Sequence, residues 1–422
     1  MALGLVNEEK QEKALLIAVD TGDYDAQVSM QELCELTATA GAEVVGEMIQ
    51  KRDTVEGATF VGKGRLQEIT EFCENNEIDI IIADGELSPV QVRNIENATD
   101  TRVVDRTTLI LDIFAGRAQS KEGKLQVELA QLKYSLPRLT GKGTSLSRLG
   151  GGIGTRGPGE TKLETDKRHI RRKIQYIRNE LDDVKRRRDM QHQRRQKNGV
   201  QVAAIVGYTN AGKSTLMNRL TDAGVLQEDK LFATLDPTAR KLYLPDGQQI
   251  MIVDTVGFIS RLPHQLVDAF RSTLEEATYA DVILNVCDAS SEECHNHIQT
   301  TNRILESLFD GGIIDVPVIN VFNKCDIAEN IEDITYPYSD SLCVKISAQT
   351  GMGIDDLMLA IEKALPQTRK RVNLLLPFDK AGLAAKIRNT GVIHSEEYIE
   401  QGLFLDCTAE ISFLDTIKDY IV

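Results

Sequence analysis

The chain lacks most of what secreted and membrane proteins need. It has no tryptophan. Its seven cysteines are odd in number and include no Cys-x-x-Cys pair, and this pattern argues against a disulfide framework and a zinc site. No apolar run reaches the length of a membrane span, and the N-terminal segment is short and acidic. We therefore expect a cytoplasmic protein without integral membrane insertion, and leave peripheral membrane association open.

Charge is unevenly distributed along the 422 residues, although the formal net charge is −15. Residues 1–120 carry 10 Lys and Arg against 23 Asp and Glu, whereas residues 161–197 carry 14 against 6. The second segment is therefore suited to meeting an anion. A chain of this length predicts two to four domains.

A complete phosphate-binding loop, Gly-Tyr-Thr-Asn-Ala-Gly-Lys-Ser, follows an apolar segment typical of a buried strand and precedes a predicted helix. Its glycines let backbone amides turn toward phosphate oxygens. Lys213 brings a positive charge to the β and γ phosphates, and the Ser214 hydroxyl can ligate Mg²⁺. A plain glycine turn is the structural alternative. The residues expected to contact phosphate are Gly207, Tyr208, Thr209, Asn210, Ala211, Gly212, Lys213 and Ser214.

Three further segments occur in the order that a guanine-nucleotide switch requires. One strand ends in Asp-x-x-Gly, where we expect Asp254 to hold Mg²⁺ through water and the Gly257 amide to meet the γ-phosphate. Another ends in Asn-Lys-Cys-Asp, where Asp326 accepts from guanine N1 and N2, donors that adenine cannot supply. Ala348, after a later strand, donates to guanine O6. The residues of these segments are Asp254, Thr255, Val256, Gly257, Asn323, Lys324, Cys325, Asp326, Ser347, Ala348 and Gln349. Together the four motifs predict binding of GTP, the substrate of the reaction.

Residues 1–120 alternate between short strands and helices, which predicts a small α/β domain with a mostly parallel sheet. We expect strands at 14–19, 43–49, 78–83 and 101–104. Gly62-Lys63-Gly64-Arg65 precedes a helix and is interpreted chiefly as a turn, with phosphate binding as the less favoured alternative.

Two amphipathic segments, from Leu125 to Leu139 and from Leu163 to Val184, have the leucine and isoleucine spacing of helices packed as a hairpin. Between them, residues 140–161 contain eight glycines and several basic residues. Within this loop a Gly-x-Gly-x-x-Gly match follows a helix and is broken by Pro158, so we do not interpret it as a dinucleotide site. A glycine-rich, basic tip suits a backbone that becomes ordered against RNA phosphates.

The second helix of the hairpin is strongly basic, with runs at 167–173 and 185–188. A solvated coiled-coil face is the usual explanation of such runs. Here the excess has one sign and adjoins the glycine loop, which favours contact with nucleic acid.

The run Gly-Thr-Arg-Gly-Pro-Gly-Glu-Thr-Lys-Leu-Glu-Thr-Asp-Lys-Arg at 154–168, upstream of the GTPase motifs, resembles the HflX family of ribosome-associated GTPases. The resemblance covers essentially the whole chain. It implies an N-terminal α/β domain with a two-helix hairpin, a central GTPase domain, and binding to the large ribosomal subunit. Subunit splitting is attributed to some members.

We accordingly expect a fold of the α/β class in four parts. These are an N-terminal α/β domain at 1–120, a helical hairpin at 121–199 and a GTPase domain with a mostly parallel sheet at 200–368. A small C-terminal α+β domain follows at 369–422. The expected partners are the large ribosomal subunit and its rRNA, not DNA, and we expect a monomer.

The switch threonine that ligates Mg²⁺ in the GTP state is ambiguous from chemistry alone, because Thr234 and Thr238 are both suitably placed. The resemblance selects Thr234, which together with Lys213 and Gly257 makes the expected catalytic set. It also adds neighbours to the expected nucleotide contacts, which are Phe232, Ala233, Thr234, Leu235 and Asp236.

Phe258 departs from the general GTPase pattern, since many GTPases place the water-orienting glutamine there. We therefore expect slow hydrolysis by the protein alone and stimulation by the ribosome. Asn210 resembles the potassium-coordinating asparagine of some related GTPases, so K⁺ is a further expected cofactor; a purely local hydrogen-bonding role is the alternative.

The favoured hypothesis is a GTPase that acts on the large ribosomal subunit, in ribosome splitting or rescue or in ribosome biogenesis. One alternative is an RNA-modifying or RNA-unwinding protein that depends on a nucleotide. The other is an RNA-binding module that holds GTP with negligible turnover, which Phe258 makes conceivable.

Overall fold

The computed structural model describes residues 11–139, 162–197, 199–221, 232, 238–261, 274–328, 342–366, 369–380 and 382–422. The chain divides into two compact units. The first contains the described residues up to Arg186 together with Phe232, Ser260 and Arg261, and the second contains the others. No helix among these residues is long and apolar enough to span a membrane.

The first unit is built on a parallel four-stranded sheet in the order β2-β1-β3-β4. Ala14 to Ala18 in the central strand β1 are fully buried, which explains their unbroken apolar sequence. The strand bounds are β1 Lys13–Asp20, β2 Glu43–Lys51, β3 Ile80–Ala83 and β4 Arg102–Asp105. The predicted strands and their parallel arrangement are therefore confirmed.

The helices between these strands begin at side-chain caps where the sequence provides one. Asp25 and Asp105 each accept from backbone amides of the first helical turn, and Ser88 forms a reciprocal capping box with Gln91. Gly62 caps the second helix without a side chain, and its N–H donates to Gln50 at 2.8 Å. The helices are α1 Ala26–Thr39, α2 Lys63–Asn76, α3 Pro89–Thr99 and α4 Arg106–Arg117.

A buried ion cluster lies where the sheet strands of the first unit end. The Arg106 guanidinium is 3% exposed and pairs with Asp84 at 2.8 Å and with Glu32. Arg261 also pairs with Asp84, at 2.9 Å, and Ser29 donates to the same carboxylate. Because each buried charge has a partner of opposite sign, the cluster is tolerated in the interior, and loss of Arg106 would remove the cation that Asp84 and Glu32 share.

The hairpin helices are α5 Lys121–Arg138 and α6 Lys162–Lys197. Their seam is formed by Leu129, Ile174 and Ile177, with further leucines and isoleucines packed around them. This confirms the predicted hairpin, although α6 runs well past the expected end of its apolar pattern. The glycine-rich loop at 140–161 lies outside the described residues.

The second unit contains a six-stranded sheet in the order β10-β9-β8-β5-β7-β6, in which only the β6–β7 pair is antiparallel. Its strands are β5 Val202–Gly207, β6 Thr238–Tyr243, β7 Gln249–Asp254, β8 Val282–Asp288, β9 Val318–Asn323 and β10 Leu342–Lys345. The helices that accompany it are α7 Lys213–Thr221, α8 Cys294–Leu308 and α9 Ile354–Ala364. Each predicted GTPase motif follows one of the parallel strands.

The C-terminal residues of the second unit form a separate antiparallel sheet in the order β11-β13-β12. Leu374, Leu405 and Ile387 are fully buried in its core. The elements are β11 Arg369–Leu376, α10 Gly382–Thr390, β12 Val392–Ile399, β13 Gly402–Glu410 and α11 Ile411–Leu414. The predicted fold class is thus confirmed, while the four domain boundaries stay predictions.

Candidate nucleotide-binding site

The phosphate loop joins the buried strand β5 to helix α7. Gly207 has φ 145° and Gly212 has φ 90°. A Cβ at Gly207 would lie 2.2 Å from the Val286 carbonyl oxygen, and one at Gly212 would lie 2.2 Å from Asn323 Nδ2. Both positions therefore require glycine, because φ is positive and a Cβ would meet backbone at Gly207 and the Asn323 side chain at Gly212. The loop leads directly into a helix N-terminus, which favours anions.

Lys213 is the buried cation of the site, with 7% of the residue exposed. Its Nζ donates to the Tyr208 carbonyl oxygen at 2.7 Å, which directs the ammonium back over the loop. Burial lowers the pKa of Lys213 to about 8, and the nearby Asp254 carboxylate opposes part of that shift. A phosphate group placed on this loop would restore the charged form.

Asp254 lies at the end of β7, next to the phosphate loop. Its Oδ2 accepts from the Ser214 hydroxyl at 3.0 Å. The two side chains thus bring hard oxygen donors together, the type of ligand that Mg²⁺ prefers. Gly257 lies close by, because a Cβ there would be 2.8 Å from Lys213 Nζ.

Phe258 is fastened to the phosphate loop by its backbone and is buried, with 1% exposed. Its N–H donates to Gly207 at 3.1 Å, and its carbonyl accepts from the Thr209 N–H at 2.7 Å. The side chain therefore fills the interior and offers no polar group to a water molecule.

Asn323 connects the phosphate loop with the loop of Ser347 to Gln349. Its Nδ2 donates to the Ala211 carbonyl oxygen at 2.9 Å, and its Oδ1 accepts from the Ala348 N–H at 2.9 Å. Asn323 and Ser347 are buried, whereas Asp326 is exposed. Asn323 therefore links three of the four predicted motifs by hydrogen bonds, and the bond between Ser214 and Asp254 links the fourth to the phosphate loop.

Two contacts of the site were not predicted from the sequence. Lys324 has φ 62° and pairs with Asp288 at 2.6 Å, so the end of β8 supports the base-recognition motif. Arg219, on α7, donates to the carbonyl oxygens of Ala348 and Gln349. The contact of Lys324 could have been suspected from the sequence, because Asp288 ends an apolar strand. Nothing in the sequence around Arg219 indicates its contact.

The expected switch residues are only partly described. Phe232 belongs to the first unit, where it packs edge-on against Phe114 with ring centroids 4.5 Å apart. Its expected nucleotide contact stays a prediction. Four other expected residues lie outside the described part of the chain, namely Ala233, Thr234, Leu235 and Asp236.

The second helix of the hairpin carries exposed basic side chains along its length. Arg171, Arg172 and Arg187 are exposed, whereas Lys173 pairs with Glu128 across the hairpin. Tyr176 is also exposed, at 62%. The exposed face of α6 therefore carries basic side chains that lie outside the packed seam of the hairpin.

A strand, glycine loop and helix that bury a lysine, with Asp-x-x-Gly and Asn-Lys-x-Asp motifs at the ends of parallel strands, define a P-loop GTPase. Three family models match successive parts of the chain. GTP-binding GTPase N-terminal matches residues 27–115, GTP-binding GTPase Middle Region matches 117–195, and 50S ribosome-binding GTPase matches 202–324.

Curated relatives are similar over nearly the whole chain. GTPase HflX of Caldanaerobacter subterraneus is 48% identical over 412 residues, which cover 98% of this chain and 94% of the relative. GTPase HflX of Lacrimispora saccharolytica is 49% identical over 416 residues, which cover 98% and 97%. The solved structure of the SsGBP and GDP complex is 26% identical and covers 84% of this chain and 98% of its own, with a TM-score of 0.47. The chain belongs to the HflX family of GTPases.

The family membership confirms the predicted resemblance and the predicted enzyme class. The protein is a GTPase, which converts GTP and water to GDP and phosphate. This outcome confirms the GTPase part of the first hypothesis, whereas action on the large ribosomal subunit stays a prediction.

Proposed function

We propose that residues 207–214, 254–257, 323–326 and 347–349 form the GTP-binding site of this enzyme. The observation that carries the proposal is the pair of hydrogen bonds by which Asn323 joins the phosphate loop to Ala348. These bonds bring the phosphate-binding and base-binding segments together at the same edge of the sheet. Asp326 accepts from guanine N1 and N2, and the Ala348 N–H, which donates to Asn323 Oδ1, is shared with guanine O6 when the base is bound.

Ser214 and Asp254 fit a Mg²⁺ site, because their oxygens are already 3.0 Å apart next to the phosphate loop. When bound there, Mg²⁺ neutralises charge on the β- and γ-phosphate oxygens. Lys213 holds its proton against those oxygens, and the Gly257 amide donates to the γ-phosphate. Thr234 is proposed as the second hydroxyl ligand of the metal on the basis of the family motif.

Hydrolysis by the protein alone is proposed to be slow. Phe258 occupies the position of a water-orienting residue, yet its buried ring has no donor or acceptor. The group that positions the attacking water must therefore come from elsewhere, and we assign that contribution to the ribosome-bound state.

The proposed partner is the large ribosomal subunit, contacted through its rRNA by the exposed basic face of α6. Support comes from the positive charge of residues 161–197 and from the match of residues 202–324 to a model described as 50S ribosome-binding GTPase. Phosphate contacts of this kind position a protein on RNA without reading its sequence. Action in ribosome splitting, rescue or biogenesis, in the cytoplasm and as a monomer, completes the proposal.

The test is phosphate release from GTP by the full chain alone, with purified large subunits and with purified small subunits. Slow release by the protein alone and stimulation by large subunits are expected, because the buried Phe258 leaves water positioning to the partner. Small subunits serve as the matched control. Equal rates in all three reactions would contradict the proposed partner but not the GTPase activity.

A further inference from the structure

Arg219 connects helix α7, which follows the phosphate loop, to the loop that carries Ala348. Its Nε donates to the Ala348 carbonyl oxygen at 3.0 Å. Its Nη2 donates to the carbonyl oxygen of the next residue, Gln349. Neither bond is an expected part of a phosphate loop or of a base-recognition motif, so the sequence motifs alone give Arg219 no role.

The loop that Arg219 contacts is short and closed on itself. The Ser347 N–H donates to Met352 at 2.9 Å, and the Gly351 N–H donates to Ser347 at 2.8 Å. Gly351 lies against the arginine, because a Cβ there would be 3.9 Å from Arg219 Cζ. These bonds fix the shape of the loop, and side chains outside the loop, Asn323 and Arg219, bond it to the phosphate loop and to α7.

Ala348 is held on both sides of its Cα atom. On the amino side its N–H donates to Asn323 Oδ1, and on the carboxyl side its carbonyl accepts from Arg219. The residue is 2% exposed, so these protein contacts, and not water, hold its N–H and carbonyl groups. A guanidinium is suited to this task because its planar fork can donate to two carbonyl oxygens at once, whereas a lysine ammonium has no fixed fork geometry.

We propose that Arg219 is a positioning residue for guanine specificity, which holds the loop so that the Ala348 N–H, a donor to Asn323 Oδ1, can be shared with guanine O6. The inference rests on the proposed base site and extends it to the regulation of one contact. Arg219 touches no part of the nucleotide in this role. It acts by linking the helix that begins at the phosphates to the loop that contacts the base.

The affinities for three nucleotides distinguish this role from a general effect on folding. The nucleotides are GTP and two analogues that differ from it in the base. Inosine triphosphate keeps O6 but lacks the N2 donor, and 6-thioguanosine triphosphate keeps N1–H and N2 but has a weakly accepting sulfur at position 6. Dissociation constants of the full chain for GTP and both analogues are measured for the unchanged protein, Arg219→Ala and Arg219→Lys. Arg303→Ala, which removes an exposed arginine from α8, is the matched control.

In Arg219→Ala we expect the affinities for GTP and inosine triphosphate to fall together by about tenfold, the loss of roughly one good hydrogen bond. The affinity for 6-thioguanosine triphosphate should fall much less, so the preference for GTP over the thio analogue shrinks. Arg219→Lys should recover part of that preference, and Arg303→Ala should leave it unchanged.

An unchanged preference for GTP over the thio analogue in Arg219→Ala would overturn the inference, and so would an equal fall for all three nucleotides. The proposed base site is tested separately by Asp326→Asn, which should change the ratio of GTP to inosine triphosphate affinity. If Asp326→Asn changes that ratio while Arg219→Ala leaves O6 discrimination intact, the base site stands and only the role of Arg219 fails. An unchanged protein that does not discriminate against sulfur at position 6 would overturn both the O6 contact and the role of Arg219.

Discussion

The nucleotide site and the basic helix α6 use charge in opposite ways. In the site a single cation, Lys213, is buried with its Nζ 2.7 Å from a carbonyl oxygen, so its energy depends on a few defined contacts. On α6 the arginines at 171, 172 and 187 are exposed. Salt and water screen their attraction to an anionic partner, so each arginine alone contributes little to binding. The comparison teaches that single substitutions should disable the site, whereas only combined substitutions should disable the helix.

The largest effect is expected from Asp326→Asn. The change replaces a charged acceptor for guanine N1 and N2 by an amide, which should weaken GTP binding by about 2 to 4 kcal/mol through the lost charge-assisted pair. Xanthine nucleotide should bind better than before, because its O2 offers an acceptor to the new amide. Equilibrium titration with both nucleotides measures the change, and an unaltered GTP affinity would refute the role assigned to Asp326.

The corresponding change on α6 has to be collective. Reversal of Arg171, Arg172 and Arg187 to Glu should weaken binding to large subunits by about 10-fold to 100-fold at low salt, with nucleotide affinity retained. The salt dependence should also become shallower, since each phosphate contact adds about 0.7 to 0.9 to the slope of log affinity against log salt. Sedimentation with large subunits over a salt series measures both quantities.

The control for that experiment reverses three exposed basic residues outside α6, namely Lys51, Arg93 and Arg303. It changes the net charge by the same amount, so it separates a local contact from a general electrostatic effect. Equal sedimentation of the two reversed proteins at every salt concentration would identify the basic face of α6 as a solvated surface, and the ribosome contact would then lie elsewhere.

The same contrast explains what could be predicted from the sequence. Strands such as β1 and β5 were predictable because uninterrupted burial demands uninterrupted apolar residues. The motif residues were predictable because phosphate chemistry fixes their spacing. The hairpin seam was predictable from its spacing, but the C-terminal extent of α6 was not, since its last turns are almost entirely polar.

Contacts between side chains far apart in sequence were not predictable. Arg106 reaches Asp84 and Glu32, and Arg219 reaches a loop some 130 residues later in the chain. Neither pair leaves a periodic or compositional pattern, because only the folded backbone brings the partners together. The ligand contacts of the nucleotide site likewise stay predictions, since they depend on groups that the chain alone does not supply.

A smaller effect is expected from the protonation of Lys213. Because burial lowers its pKa to about 8, the lysine of the nucleotide-free protein is mostly neutral at pH 9 and mostly charged at pH 6.5. Bound phosphates favour the charged form, so GTP binding at pH 9 should take up nearly one proton, and GTP affinity should fall as pH rises above about 8. The second ionisation of a phosphate group, near pH 6, does not interfere at that pH.

Calorimetry in buffers of different ionisation enthalpy measures the proton uptake. Lys213→Arg should bind GTP more weakly and take up much less than one proton at pH 9, because a guanidinium does not titrate there and only the guanine N1 that is ionised at that pH regains a proton on binding. Lys324→Arg, a change in the neighbouring base motif, should keep the uptake and serves as the control. An uptake of nearly one proton at pH 9 that persists in Lys213→Arg would assign the titration to another group.

The smallest effect is expected at Asn210, where the site borders solvent. Asn210 is exposed and has φ 61°, a left-handed conformation that asparagine tolerates better than most residues, so its backbone strain alone gives it a structural reason to be there. If its side chain also coordinates a monovalent cation beside the phosphates, GTP turnover in potassium should exceed that in sodium at equal ionic strength. The gain should be below about tenfold, or about 1.4 kcal/mol of barrier.

Asn210→Gly keeps the backbone conformation and removes the side-chain amide, so it should abolish the difference between the two salts while retaining GTP affinity. Thr350→Ala, an exposed change away from the phosphate loop, should preserve that difference. Equal turnover of the unchanged protein in the two salts would leave Asn210 as a residue of loop geometry alone, and the buried Lys213 would then be the chain's main source of positive charge at the phosphates.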